Sequence, residues 1–150
     1  DALPIFQLEF NLSNSHETAL VAVVEGSKIG ADIEYQDRHL WDADALAQTV
    51  FTDSELAELH AYPSDERLVP FLSGWTRKEA YLKAIGKGLA LPLKDFSVQL
   101  KNEEPFPLIS TPEWRLHSFW VSADYLGAVA YSSEMVEPNF RWFSKNRATD

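Results

Sequence analysis

Leu68, Phe71, Leu72, Trp75, Leu82 and Gly86 fall on one face of a helix advancing ~100° per residue, so one long helix is the dominant local signal of this chain. Glu79 lands inside that apolar face, ~40° from Trp75. A carboxylate there needs a salt bridge, a proton or a bound cation, because burying it unpaired costs several kcal/mol. Pairing with Lys83 one turn on is one solution, worth only ~0.3–0.5 kcal/mol.

Lys28 to Tyr35 alternates strictly and reads as a half-buried strand, with Ile29, Ala31, Ile33 and Tyr35 on one side and Gly30, Asp32 and Glu34 on the other. The two carboxylates then stand ~7 Å apart along one face. Such a pair is either an ordinary solvated strand face or a site for a hard divalent cation that relieves their repulsion. Mg²⁺ takes one or two carboxylates, with waters and substrate phosphate oxygens completing its shell.

The rest of the chain supplies an α+β frame, an antiparallel sheet packed against one long and two shorter helices. Ala19 to Val24 is a continuous apolar run that reads as a central strand, turning through Glu25, Gly26 and Ser27 into the acidic strand as a hairpin. Asp42 caps a short helix through about Phe51, and Thr52 to Glu55 is a capping box that opens another, ending near Tyr62 and Pro63. Ser64 or Asp65 then opens the long helix, which Gly86 or Gly88 ends as a left-handed cap. Phe96 to Leu100 and Trp114 to Ser122 alternate as strands, and Tyr125 to Tyr131 closes the sheet. Lys101 to Pro112, with three prolines, reads as a loop. The tail from Phe140, with Trp142 and Phe143 beside Arg141, Lys145 and Arg147, either packs as a final element or forms a contact surface.

At 150 residues and 45% hydrophobic, with five Trp, five Tyr and nine Phe, residues 1–150 fill one core and read as a single domain. Zero cysteines exclude disulfides, thiolate nucleophiles and cysteine-ligated zinc, and the histidines at 16, 39, 60 and 117 lack metal-ligand spacing. A formal charge of −10, from 23 acidic and 13 basic residues, argues against nucleic acid as a partner. No run approaches the ~18 apolar residues of a membrane helix and the start is unlike a signal peptide, so no membrane association and a cytoplasmic setting are the default expectations.

The combination of Ile29-Gly30-Ala31-Asp32-Ile33-Glu34 with Trp75-Thr76-Arg77-Lys78-Glu79-Ala80 and Gly86-Lys87-Gly88 resembles the Sfp-type 4'-phosphopantetheinyl transferases. Phe10-Asn11-Leu12-Ser13-Asn14-Ser15 is similar to a third family block, Phe-Asn-Leu-Ser-His-Ser, with Asn14 where the family has histidine. Asparagine still donates a hydrogen bond but carries no charge, and His16 would lie on the same side of an extended segment. The resemblance covers most of residues 10 to 100.

That resemblance implies Mg²⁺-assisted transfer of 4'-phosphopantetheine from coenzyme A to a serine of an acyl or peptidyl carrier protein. It makes Asp32, Glu34 and Glu79 the metal ligands and Glu79, with Lys83, the catalytic pair. Ser13, Asn14, Lys78, Lys83 and Lys87 become the coenzyme-binding residues. Arg77, Lys78, Lys83, Lys87 and Lys94 are then the local basic patch on which an acidic carrier protein docks, or simply a solvated helix edge. Because the family joins two similar halves in tandem, and the Phe10 block normally falls near the middle, the chain reads as one lobe of a pseudo-twofold transferase. On this reading the N-terminal lobe is absent, and a second lobe or copy completes the coenzyme pocket. Two alternatives stand beside it: a carrier-binding lobe inactive without its other half, and another Mg²⁺-dependent pyrophosphate-cleaving enzyme. The residues leave open which carrier, which coenzyme A thioesters, Mg²⁺ or Mn²⁺, and the oligomeric state.

Overall fold

The computed structural model describes residues 7–36, 42–86, 91–101, 106–108, 111–132, 134, 139 and 141. The chain is α+β, with antiparallel sheets and three α-helices among the described residues. Strands β1 (Leu8–Ser15) and β2 (Thr18–Glu25) form a two-stranded hairpin. Strands β3 (Ile29–Tyr35), β4 (Phe106–Leu108), β5 (Thr111–Ser122) and β6 (Tyr125–Ser132) form a second sheet in the order β3-β6-β5-β4.

The helices are α1 (Ala43–Val50), α2 (Asp53–His60) and α3 (Leu68–Ile85). Asp42 caps α1 by accepting the Ala45 amide at 3.1 Å. The Thr52–Glu55 capping box opens α2 as its spelling predicts. The long helix starts later than Ser64 or Asp65: those residues form a 3₁₀ turn, and α3 begins at Leu68 without a side-chain cap. Pro70 is tolerated because the amide it lacks would be unpaired in a first turn. Gly86, at φ 67°, supplies the left-handed end and donates to the Leu82 and Lys83 carbonyls.

Two cores lie on either side of the larger sheet. On one, Phe71, Leu72, Ala80, Leu82 and Ala84 of α3 pack with Phe51, Leu59, Leu116, Leu126, Ala128 and Ala130. On the other, Leu20 and Ala22 of β2 meet Ala31, Ile33, Val129 and Tyr131. Helix α3 is therefore buried on far more than the predicted stripe, with Thr76, Arg77 and Lys78 also inside.

The strand expectations change at several points. β2 is not central and does not form a hairpin with β3; it pairs with β1, and Ala19, Val21 and Val23 face outward. β6 does not close the sheet but runs between β3 and β5, and the expected 101–112 loop contains β4. Phe96, Val98 and Leu100 are buried as their alternation predicts, yet no strand ladder among the described residues includes them. Side chains satisfy that segment instead: Glu55 accepts the Val98 amide at 2.7 Å, Glu58 accepts the Leu100 amide at 3.1 Å, and Arg77 donates to the Gln99 carbonyl. Lys87, Gly88, Trp142 and Phe143 lie outside the described residues.

Candidate active site

Gly30 lets β3 run directly against α3, because a Cβ there would collide with the Ala80 carbonyl and the Ala84 amide. The same face of β3 then presents Asp32 and Glu34 to α3. Lys83 Nζ donates to Asp32 Oδ1 at 2.7 Å, and Trp75 Nε1 donates to Glu34 Oε1 at 3.0 Å. From β1, Ser13 Oγ donates to Asp32 Oδ1 at 3.0 Å and Ser15 Oγ to Glu34 Oε2 at 3.4 Å. Each carboxylate is thus held from both sides.

Burial dominates the electrostatics. Asp32, 4% exposed, is pushed from 3.8 up to about 6 chiefly by desolvation, with Lys83 pulling it back and Glu34 adding repulsion. Glu79 is half-buried, and its pKa is raised for the same leading reason, with Lys83 opposing and Glu34 reinforcing. Glu79 therefore shares the field of Glu34 and Lys83, while the Lys83 ammonium goes to Asp32 rather than pairing one turn back.

Among the described residues no three acidic or histidine side chains already cluster as an ion cage. The donors nonetheless fit a hard divalent cation: all are carboxylate oxygens, and Asp32 Oδ2 is buried with no hydrogen-bond partner among the described residues. A cleft of about 660 Å³ lies elsewhere, between Gln36, Asp42–Asp44 and Ser64–Val69. Its Arg67 is already held by Asp44 at 2.9 Å, so the carboxylate group, and not this cleft, is the better candidate on its chemistry.

Asp32, Glu34, Glu79, Lys83 and Ser13 are brought into one neighbourhood; Lys78 is not. Lys78 has a side chain with no exposure, and it spends its ammonium on Glu55 at 2.9 Å and on the Leu93 and Phe96 carbonyls at 2.6 and 2.7 Å. Desolvation lowers its pKa, with Glu55 opposing. Arg77 is equally buried, donating to Ser118 and to the Gln99 and Lys101 carbonyls, and Lys94 donates to Gln48. Arg77 and Lys78 of the expected basic patch are therefore structural and not part of an exposed surface. Ser13 has its hydroxyl fully engaged, accepting from the Ile33 amide and Lys83 while donating to Asp32, so no capacity is left for a phosphate. Asn14 is exposed and Lys87 lies outside the described residues.

Sequence reasoning missed Trp75 and Ser15 as partners of Glu34, and Glu55 as the partner of Lys78. The polar alternation Asn11, Ser13, Ser15 within β1 was the available signal for the first edge of the site.

The family described as the 4'-phosphopantetheinyl transferase superfamily matches residues 28–130, which include β3, all of α3 and β6 up to Ala130. The chain is 37% identical over 133 residues to 4'-phosphopantetheinyl transferase HetI of Nostoc sp., covering 89% of this chain and 55% of that protein. It is 37% identical over 102 residues to a 4'-phosphopantetheinyl transferase of Bacillus subtilis, covering 68% of this chain and 43% of the relative. With 4'-phosphopantetheinyl transferase Sfp of Bacillus subtilis it shares 35% identity over 94 residues, 63% of this chain and 40% of Sfp. The chain thus spans about half the length, or less, of these relatives. With β3, α3 and β6 as far as Ala130 inside the matched region, the chain belongs to the 4'-phosphopantetheinyl transferase superfamily.

Proposed function

We propose that this chain is the lobe carrying the reactive carboxylates of an enzyme that transfers 4'-phosphopantetheine from coenzyme A to a serine hydroxyl of an acyl or peptidyl carrier protein. One observation carries the reading: Asp32 and Glu34 of β3 face Trp75, Glu79 and Lys83 of α3 across the Gly30 contact, within the matched region. Asp32, Glu34 and Glu79 are the residues that would hold Mg²⁺, which would neutralise charge on the coenzyme pyrophosphate. Glu79, its pKa raised by burial, takes the proton of the acceptor serine. The serine oxygen then forms a bond to phosphorus as the bond to 3',5'-ADP breaks. Lys83 keeps Asp32 in place and contributes positive charge beside the reacting phosphate. Asn14 and Lys87 are assigned to the coenzyme phosphates by resemblance alone.

The exposed apolar face of β1 and β2, with Phe10 71% exposed, supports a second lobe or a second copy covering this side. No described helix is long and apolar enough to cross a membrane.

The test is to mix the purified 150-residue chain with coenzyme A, Mg²⁺ and an apo carrier protein and follow the carrier by mass spectrometry. A phosphopantetheine mass gain, lost on chelation, is the expected result. Glu79→Gln should lower the rate by at least about a hundredfold with an unchanged circular dichroism spectrum. Full labelling by that variant removes Glu79 from the chemistry. Binding of the carrier without mass gain identifies a recognition lobe.

A further inference from the structure

No backbone ladder joins β1 to β3. The amides of Ala31, Ile33 and Tyr35 point away from β6 and need acceptors along the edge of β3. Three side chains of β1 supply them in a constant register: Asn11 Oδ1 accepts from Ala31 at 3.0 Å, Ser13 Oγ from Ile33 at 3.2 Å, and Ser15 Oγ from Tyr35 at 3.0 Å.

The two serines do something the asparagine does not. Each hydroxyl, having accepted an amide, donates its own hydrogen to the side chain of the preceding residue: Ser13 to Asp32 and Ser15 to Glu34. At the Asn11 position the preceding residue is Gly30, which offers nothing to hold. The same joint is therefore repeated three times, and only two of its members touch carboxylates.

We propose that Ser13 and Ser15 are positioning residues, a repeated hydroxyl clamp that fixes Asp32 and Glu34 for cation binding, while Asn11 serves only to join the strands. This rests on the ion-binding reading of Asp32, Glu34 and Glu79. A carboxylate that ligates an ion is oriented by its own hydrogen-bond partners, whose loss typically weakens metal affinity 10–100-fold. Lys83 and Trp75 restrain the same carboxylates from α3, so each of Asp32 and Glu34 is gripped between a strand hydroxyl and a helix donor.

The Asn11 position provides the control. Mn²⁺ alone, followed by the loss of its free electron paramagnetic resonance signal, is titrated into the 150-residue chain and into Asn11→Ala, Ser13→Ala, Ser15→Ala and Ser15→Thr, with thermal midpoints recorded for each. All three alanine variants should melt earlier, since each leaves an amide of β3 unpaired. Only Ser13→Ala and Ser15→Ala should raise the Mn²⁺ dissociation constant, by about tenfold or more. Ser15→Thr, which keeps the hydroxyl, should bind as the unsubstituted chain does. If Asn11→Ala weakens Mn²⁺ as much as the serine variants, or the serine variants bind normally, the clamp is a strand joint and nothing more. If the unsubstituted chain takes up no Mn²⁺, the ion-binding reading itself fails, and this inference with it.

Discussion

Asp32 carries a charge that its surroundings resist, and the resistance has a measurable sign. Its folded pKa, about 6, exceeds the unfolded 3.8 because burial outweighs the help from Lys83 and Ser13. Between those values the folded chain holds more proton than the unfolded one, so this group's contribution to stability falls as pH rises through the window. Relative to Asp32→Asn, the unsubstituted chain should lose on the order of 3 kcal/mol between about pH 4 and about pH 7. Urea unfolding of both chains across that range checks it; parallel curves would show that the buried carboxylate is not the strained charge. Such strain is tolerated where function requires it. At this scale the sequence was legible where local spacing governs: Glu79 and Lys83 could be placed relative to the apolar stripe from helical periodicity alone. Lys78 could not, because what claims its ammonium, Glu55 and the carbonyls of Leu93 and Phe96, comes from segments that no periodicity of α3 can report.

The contact between β3 and α3 sets where the site's acidic and basic groups meet, and its tolerance is set by one missing side chain. Substituting Gly30→Ala drives a Cβ into the Ala80 carbonyl and the Ala84 amide, both backbone atoms of a helix that is buried on most sides. The strand must move away, taking Asp32 from Lys83, and the expected loss of stability is on the order of 3 kcal/mol. Adding Ala84→Gly should not rescue the variant, because the nearer obstacles are main-chain atoms; recovery of the urea midpoint in the double variant would contradict the packing argument. Element by element, α1 and α2 were readable because their caps are spelled out in contiguous residues, Asp42 and Thr52 to Glu55. Phe96 to Leu100 shows the opposite case. Its alternation correctly announces which side chains are buried, but periodicity does not say who accepts the hydrogen bonds, and here Glu55, Glu58 and Arg77 take the place of a neighbouring strand. The apolar run of β2 likewise suggested a strand buried on both faces, whereas only Leu20, Ala22 and Val24 are inside.

Over the whole molecule, the outward face of the β1–β2 hairpin is the feature least like an ordinary surface. Leu8, Phe10, Leu12, Val21 and Val23 are 56–71% exposed, and the register sets Phe10 opposite Val23 and Leu12 opposite Val21, so they form one continuous patch. Water contact with a patch of this kind is unfavourable, at roughly 25 cal/mol per Å² of apolar area, and contiguous exposed apolar area marks a surface that something covers. The chain matches only 40–55% of the length of these relatives, which is consistent with the proposed second lobe or copy on this side. The net charge of −10 opposes indiscriminate self-association, so the patch and the charge act against each other in the isolated chain. Two outcomes separate their weights. Apolar attraction predicts that the isolated chain binds a hydrophobic dye and associates more strongly as salt screens the repulsion. Replacing Phe10 and Val23 with threonine should suppress both effects while leaving Leu20, Ala22 and Val24, and so the inner packing, untouched. Sedimentation at low and high salt, with dye binding in parallel, measures the difference. A chain that is monomeric and dye-silent at both salt concentrations would mean that this face is not an interface awaiting a partner, and the proposed second lobe or copy would have to sit elsewhere on the fold.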